Sequence, residues 1–208
     1  MAKTKISWTD NTWNIVTGCS KVSPGCAHCF AETNSRRWGR SKLPWNPANA
    51  AENVVLHPER LRLPLTWRKP RKVFVNSMSD LFHENVTDEF LDRVFAVMAL
   101  APRHTYQILS KRPERMLRYL ADSNTRARVD VQSGALTRHI ALSSEQVERF
   151  VKDLASDTTY NPIWPLPNVW LGVSVENQRW ADSRISALMD TPAAVRFVSC
   201  EPLLGPID

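Results

Sequence analysis

The sequence predicts an α/β fold with about five parallel strands, and three observations carry that prediction. Short β-rich runs, polar loops and amphipathic helical patterns alternate along the chain. The loops that follow the runs are rich in Ser, Asn, Asp, Lys and Glu. The length of 208 residues suits one domain with an elaboration, at a prior of roughly 150 residues per domain.

Taken in order, Trp13-Asn14-Ile15-Val16 reads as the first strand, followed by a cysteine-bearing loop and a helix from about Phe30 to Trp38. Residues 39–72, with Pro44, Pro47, Pro58, Pro64 and Pro70, read as an irregular connection holding a short helix near His57 to Leu63. Val73-Phe74-Val75-Asn76 is the next strand. Its loop, Ser77-Met78-Ser79-Asp80, leads to a helix from about Thr87, with Asp88 and Glu89 in the first turn and Leu91, Val94, Phe95 and Met98 on one face. That helix ends before Pro102. Tyr106 to Ser110 is a strand, Lys111-Arg112 its loop, and Pro113 opens a helix carrying Met116, Leu117 and Leu120 at helical spacing. Residues 122–167 contain no strong strand and a weak helical pattern around Ser144 to Leu154, and read as an insertion. Val169 to Val175 forms the fourth strand, Glu176-Asn177 its loop, and the following helix turns Ala181, Ile185, Leu188 and Met189 inward. The fifth strand, Val195 to Ser199, runs into Cys200-Glu201-Pro202.

Composition narrows the function. Hydrophobic residues make up 43% and charged residues 23%, with a mean hydropathy of −0.34, which is ordinary globular usage. No apolar run reaches the roughly 18 to 20 residues of a membrane span, and the N-terminus lacks a signal-peptide core, so a cytoplasmic protein is expected. Glycine is scarce at 6 residues, and neither G-x-G-x-x-G nor a Walker loop can be written. Charge is uneven: residues 1–121 hold 19 basic against 10 acidic residues, and residues 122–208 hold 8 against 11. The first part therefore attracts anions, among them nucleic acid, phosphate or a carboxylate-bearing cofactor.

Cys19, Cys26 and Cys29 are spaced C-x6-C-x2-C, with Cys200 far along the chain. In a reducing compartment such a cluster points to a metal centre, since the C-x2-C pair lets two sulfurs face one centre and the longer loop supplies a third. Three readings stay open on spacing. One is a structural zinc completed by His28 or Cys200, another an iron-sulfur cluster with a non-protein fourth ligand. The last is a redox pair, Cys26 and Cys29, or thiols that only pack.

Consecutive parallel strands with right-handed crossovers bring their C-terminal loops to one side. The cysteine loop should there meet Asn76, Ser77, Ser79 and Asp80; Ser110, Lys111 and Arg112; Ser174, Glu176 and Asn177; and Ser199, Cys200 and Glu201. Such an inventory suits a polar organic ligand above a metal centre. Trp8, Trp13, Trp38 and Trp45 lie near Arg36, Arg37 and Arg40 and could stack on bases, although packing in the core is the commoner use of tryptophan. The run Arg68-Lys69-Pro70-Arg71-Lys72 reads as a solvated loop that can touch phosphate.

The words Trp8-Thr9-Asp10-Asn11-Thr12-Trp13-Asn14, Gly18-Cys19 and Ser23-Pro24-Gly25-Cys26-Ala27-His28-Cys29-Phe30-Ala31-Glu32 resemble a phage- and prophage-borne three-Cys-motif family of unknown function. Further matching words are Val73 to His83, Lys111 to Met116, Val169 to Glu176 and Phe197 to Leu203. That family in turn looks like a divergent radical S-adenosylmethionine (SAM) enzyme. The resemblance implies a TIM-barrel-like but partial, open (β/α) barrel whose Cys19, Cys26 and Cys29 hold a [4Fe-4S] cluster. SAM chelates the open iron, and its reductive cleavage modifies a substrate that the sequence leaves unknown. Departures are plain: the usual spacing is C-x3-C-x2-C, His28 replaces the usual aromatic, and the glycine-rich SAM element is missing. Ser77, Ser79 and Asp80 stand in its place, and Arg112, Ser174 and Glu176 complete the expected cofactor-binding set. Lys111, Cys200 and Glu201 are the catalytic candidates. The rival expectation is a non-enzymatic zinc- or cluster-stabilised phage protein that binds nucleic acid, and a separate partner protein is also open.

Setting residues 122–167 aside leaves about 160 residues, room for about five βα units at roughly 30 residues each, against about 250 for a full barrel. The expectation is one incomplete barrel domain over residues 1–208, with 122–167 inserted, C-terminally truncated and open on the fifth-strand side.

Overall fold

The computed structural model describes residue 4, residues 6–138, residue 145 and residues 163–208. The weak helical pattern around Ser144 to Leu154 lies outside the described residues apart from Glu145.

In chain order the elements are β1 (Asn11–Trp13), β2 (Val16–Thr17), α1 (Phe30–Arg37), α2 (Ala50–Asn53), β3 (Val55–Leu56), β4 (Lys72–Val75) and α3 (Asp88–Leu100). They continue with β5 (Thr105–Ser110), α4 (Pro113–Ala121), α5 (Thr125–Thr137), β6 (Val169–Ser174), α6 (Gln178–Asp190) and β7 (Val195–Ser199). Five strands form one parallel sheet in the order β1-β4-β5-β6-β7, with Val75 opposite Ile108 and Ile108 opposite Leu171. The sheet is open, with β1 and β7 at its edges. Because every neighbour is parallel, all five C-terminal ends lie on one side.

Burial explains the sheet. Val73, Val75, Tyr106, Ile108, Leu171 and Val173 are almost fully buried and join Trp13, Phe82, Phe95 and Met98 in one core. Helix α3 starts where the Thr87 hydroxyl accepts the Phe90 N–H at 3.3 Å, with Asp88 and Glu89 in its first turn. Pro113 sits in the first turn of α4, where its missing N–H costs nothing. Asn177 caps α6 by accepting the Trp180 N–H at 3.3 Å. Among the described residues no helix is long and apolar enough to cross a membrane.

Three expectations need correction. The first strand is shorter and earlier than Trp13 to Val16, because the Asn76 side-chain carbonyl accepts both the Ile15 and Val16 N–H groups at 3.1 Å. Those bonds bend the chain off the sheet, and β2 pairs antiparallel with β3 instead. Residues 122–167, expected to hold only a weak helical pattern, include a full helix: α5 packs along α3 and buries Val129, Val131 and Ala135. Met189 is 61% exposed rather than inward, since it lies about 100° round the helix from buried Leu188.

Candidate functional site

The loops after the strands meet as the parallel topology requires. One cleft is lined by Cys19, Cys26 and Cys29 together with Ser77, Ser79 and Asp80 after β4, Ser110, Lys111 and Arg112 after β5, and Ser174 at the end of β6. Its apolar walls are Val22, Ala31, Trp45, Phe74 and Leu109. Cys19 follows β2, Cys26 ends a 3-10 turn begun by Pro24, and Cys29 is the N-cap of α1. Gly18 precedes Cys19 at φ +82, where an added Cβ would stand 1.7 Å from the Asn53 carbonyl oxygen. Only glycine satisfies both that backbone and that contact.

Arg112 is the brace of the cleft. It is 5% exposed, and its guanidinium donates to the Cys19 Sγ at 3.4 Å, to Asp80 Oδ2 at 3.3 Å, to both Glu84 oxygens at 3.1 Å and to the Ser20 carbonyl and hydroxyl oxygens at 3.0 Å. Burial pushes the Cys19 thiol up to about 11, against the lowering pull of the Arg112 charge. His83 Nδ1 accepts the Asn85 N–H at 3.1 Å, which assigns the ring proton to Nε2, 2.9 Å from the Ser20 hydroxyl. Burial and then the Arg112 charge hold the His83 pKa down, so that ring stays neutral at pH 7.

Asp80 has no acceptor position to spare. Its Oδ1 accepts the Ser110 hydroxyl at 2.8 Å and the Phe82 N–H at 3.0 Å, and its Oδ2 accepts the Lys111 N–H at 2.9 Å and Arg112. Four donors fill the four lone-pair sites of a carboxylate. The Ser79 hydroxyl donates to the Val16 carbonyl at 3.0 Å and the Ser77 hydroxyl to Asn14 Oδ1 at 3.2 Å, so each keeps acceptor capacity. Asn76, at φ 62, has its side-chain nitrogen buried without a partner among the described residues, beside the cleft it lines.

Glu176 stands behind the cysteine loop rather than in the lining. It is fully buried, accepting the Ser23 hydroxyl on one oxygen and the Arg184 guanidinium at 2.9 Å on the other. An added Cβ on Gly25 would lie 2.4 Å from its Cγ and Oε1. The cysteine loop can seat on the β6 end only because residue 25 has no side chain. Arg184 lies outside every matching word, and the words that hold Ser23 and Gly25 do not assign them this seating role. The available signal is Gly25 itself, one of few glycines, placed directly before Cys26.

The remaining predicted residues lie elsewhere. Cys200 and Glu201 are exposed and outside the lining, as is His28, which borders an outer recess with Lys21 and Arg36. Trp13 and Trp45 pack in the interior at 1% and 2% exposure, whereas Trp38 is 67% exposed. Arg68 and Lys69 are exposed, while Arg71 turns back to donate to Asn11 Oδ1 at 2.6 Å. Among the described residues, no group of three or more His, Cys, Asp or Glu side chains is drawn together tightly enough to hold a single metal ion.

Comparison with known families adds one match, over residues 3–208, to the family described as "Protein of unknown function (DUF5131)". The chain belongs to the DUF5131 family. The match spans the sheet and every residue of the cleft, so the cysteine loop is part of the DUF5131 fold and not an appendage. No curated protein and no solved structure matches this DUF5131 chain.

Proposed function

We propose that the chain is a radical SAM-type iron-sulfur protein, with Cys19, Cys26 and Cys29 holding a [4Fe-4S] cluster and the adjoining cleft taking SAM. The observation that carries this reading is the meeting of all three thiols with the loops of β4, β5 and β6 in one cleft. Ligands of open α/β sheets bind at the carboxyl ends of the strands. Thiols spread round a shared space suit a cluster, which takes each at a separate iron. A structural zinc wants four ligands converging on one ion, and His28 and Cys200, its possible fourth ligands, lie outside the lining. By the same resemblance the chain is phage- or prophage-encoded and works in the cytoplasm of a bacterial host.

When bound, the cluster would supply the electron for reductive cleavage of SAM and a vacant iron position for its amino and carboxylate groups. The chain's own residues prepare that site. Cys19 must lose a proton that burial holds on to about pH 11, and metal ligation drives such losses. The Arg112 N–H directed at its sulfur favours the thiolate and would counter the charge of a thiolate-bound cluster. Ser77, Ser79, Lys111 and Ser174 are the residues proposed to meet SAM or substrate. Asp80 and Glu176 act one step back, Asp80 by ordering residues 110–112 and Glu176 by seating the cysteine loop.

Reduction of anaerobically loaded protein with dithionite in the presence of SAM tests this. Methionine and 5′-deoxyadenosine should form, read by mass spectrometry, and Cys26→Ala should form neither. A loaded cluster that leaves SAM intact would refute the SAM half of the reading.

A further inference from the structure

A second cleft, of about 250 Å³, lies back to back with the cysteine cleft. Trp45 lines both, Gly18 in its wall precedes Cys19, and Met78 in its wall sits between Ser77 and Ser79. Its rim is formed just past the end of α1, and Arg37 and Trp38 adjoin that rim in sequence without lining the cleft itself. The last turn carries Arg36 and Arg37, Trp38 is the C-cap, and Gly39 turns the chain at φ +63 so that Arg40 and Lys42 border the cleft.

Two features of this rim are unusual for a merely solvated surface. Trp38 leaves 67% of its surface in water, while Trp13 and Trp45 of the same half are buried. An indole face left open in this way is what a base can stack on. The charge around it is also uncompensated: among the described residues no ion pair joins Arg37, Arg40 or Lys42 to an acid, as the pairs made by Lys21, Arg60 and Arg93 do. Glu52 is the acid of the cleft lining, and it too is exposed. The Arg37 guanidinium lies over one face of the Trp38 ring, 5.7 Å from its centre, so a base would stack on the opposite face with a phosphate-binding group close by.

We infer that this rim binds single-stranded nucleic acid, with a base stacked on Trp38 and phosphates held by Arg37, Arg40 and Lys42. A duplex cannot present the face of an internal base to an indole, so the arrangement selects unpaired strands. The inference does not rest on the cluster, and it brings a strand to the far side of the wall that carries Cys19.

Fluorescence anisotropy on the full chain tests it, using labelled 12-nucleotide single strands of RNA and of DNA and the matching duplex. Binding of either single strand, stronger than the duplex, is expected, and the two arms tell which sugar is preferred. Trp38→Ala should weaken binding roughly tenfold, within the range of one stacked base, and Trp38→Phe should restore most of it. Arg40→Gln with Lys42→Gln should flatten the slope of log affinity against log salt by about 1.4, at about 0.7 per lost phosphate contact. Trp38 is exposed, so these variants should melt with the parent. No binding at low salt, equal affinity for the duplex, or wild-type affinity in Trp38→Ala would overturn the inference.

Discussion

Glu176 is fully buried, and its two oxygens are divided between Ser23 of the cysteine loop and Arg184 of α6. A buried carboxylate needs such partners, because an unpaired one costs several kcal/mol. Gly25 lies flat against it, and a methyl group there would meet Cγ and Oε1 at 2.4 Å. Glu176 cannot swing aside without abandoning Arg184, so the loop has to lift. Gly25→Ala should therefore lower stability by about 1–3 kcal/mol, the usual range for overpacking, and cut iron loading well below that of the parent. Urea unfolding and iron analysis of the same preparation check both. Unchanged stability and loading would mean the loop is not seated on Glu176. The meeting of the three cysteines was legible in the sequence because their spacing is local. Their seat was not, because Ser23 and Glu176 are 153 positions apart and nothing in their two matching words pairs one with the other. Asp80 shows the opposite error: its place beside the cleft was legible, but its four internal donors are a property of the fold.

At the scale of elements, α3, α4 and α5 are joined by a buried polar knot. Asp92 of α3 accepts the Tyr119 hydroxyl of α4 at 2.9 Å and the Arg128 guanidinium of α5 at 3.1 Å. Burial pushes the Asp92 carboxyl up to about 6 from an ordinary 3.8, against the opposing charge of Arg128. A raised value in the folded state means the folded chain keeps a proton that the unfolded chain has released. The contribution to stability is full below pH 3.8 and is lost as the pH rises through 6. In Asp92→Asn nothing titrates at this position. The unfolding free energy of the parent, taken relative to that variant, should fall by at most about 3 kcal/mol between pH 4 and pH 7, measured by urea unfolding at each pH. A difference that stays constant with pH, or grows, would contradict the account. Helix α5 itself was poorly legible. Its sequence, Thr125–Thr137, lacks a clean apolar stripe, and it is held by this knot and by packing on α3 rather than by periodicity.

Across the whole molecule, five strand runs and the side on which their loops gather were legible, because parallel topology turns a one-dimensional order into a shared edge. The first strand misled because a single side chain, Asn76, takes two N–H groups that would otherwise extend it. Cys200 and Glu201, expected with the others, are exposed because β7 is the edge of the sheet, with Val195 and Val198 at 36% and 42% exposure. What unites the molecule is a cleft in which three thiols, a braced arginine and the ends of β4, β5 and β6 share one space. The central claim is that this space holds a [4Fe-4S] cluster. Anaerobic purification followed by iron, sulfide and zinc analysis, with the visible spectrum, tests it most directly. The account predicts about four irons and four sulfides per chain with broad brown absorption, and near-complete loss of both in Cys26→Ala. One tightly held zinc without colour, or full iron in the Cys26→Ala variant, would contradict it.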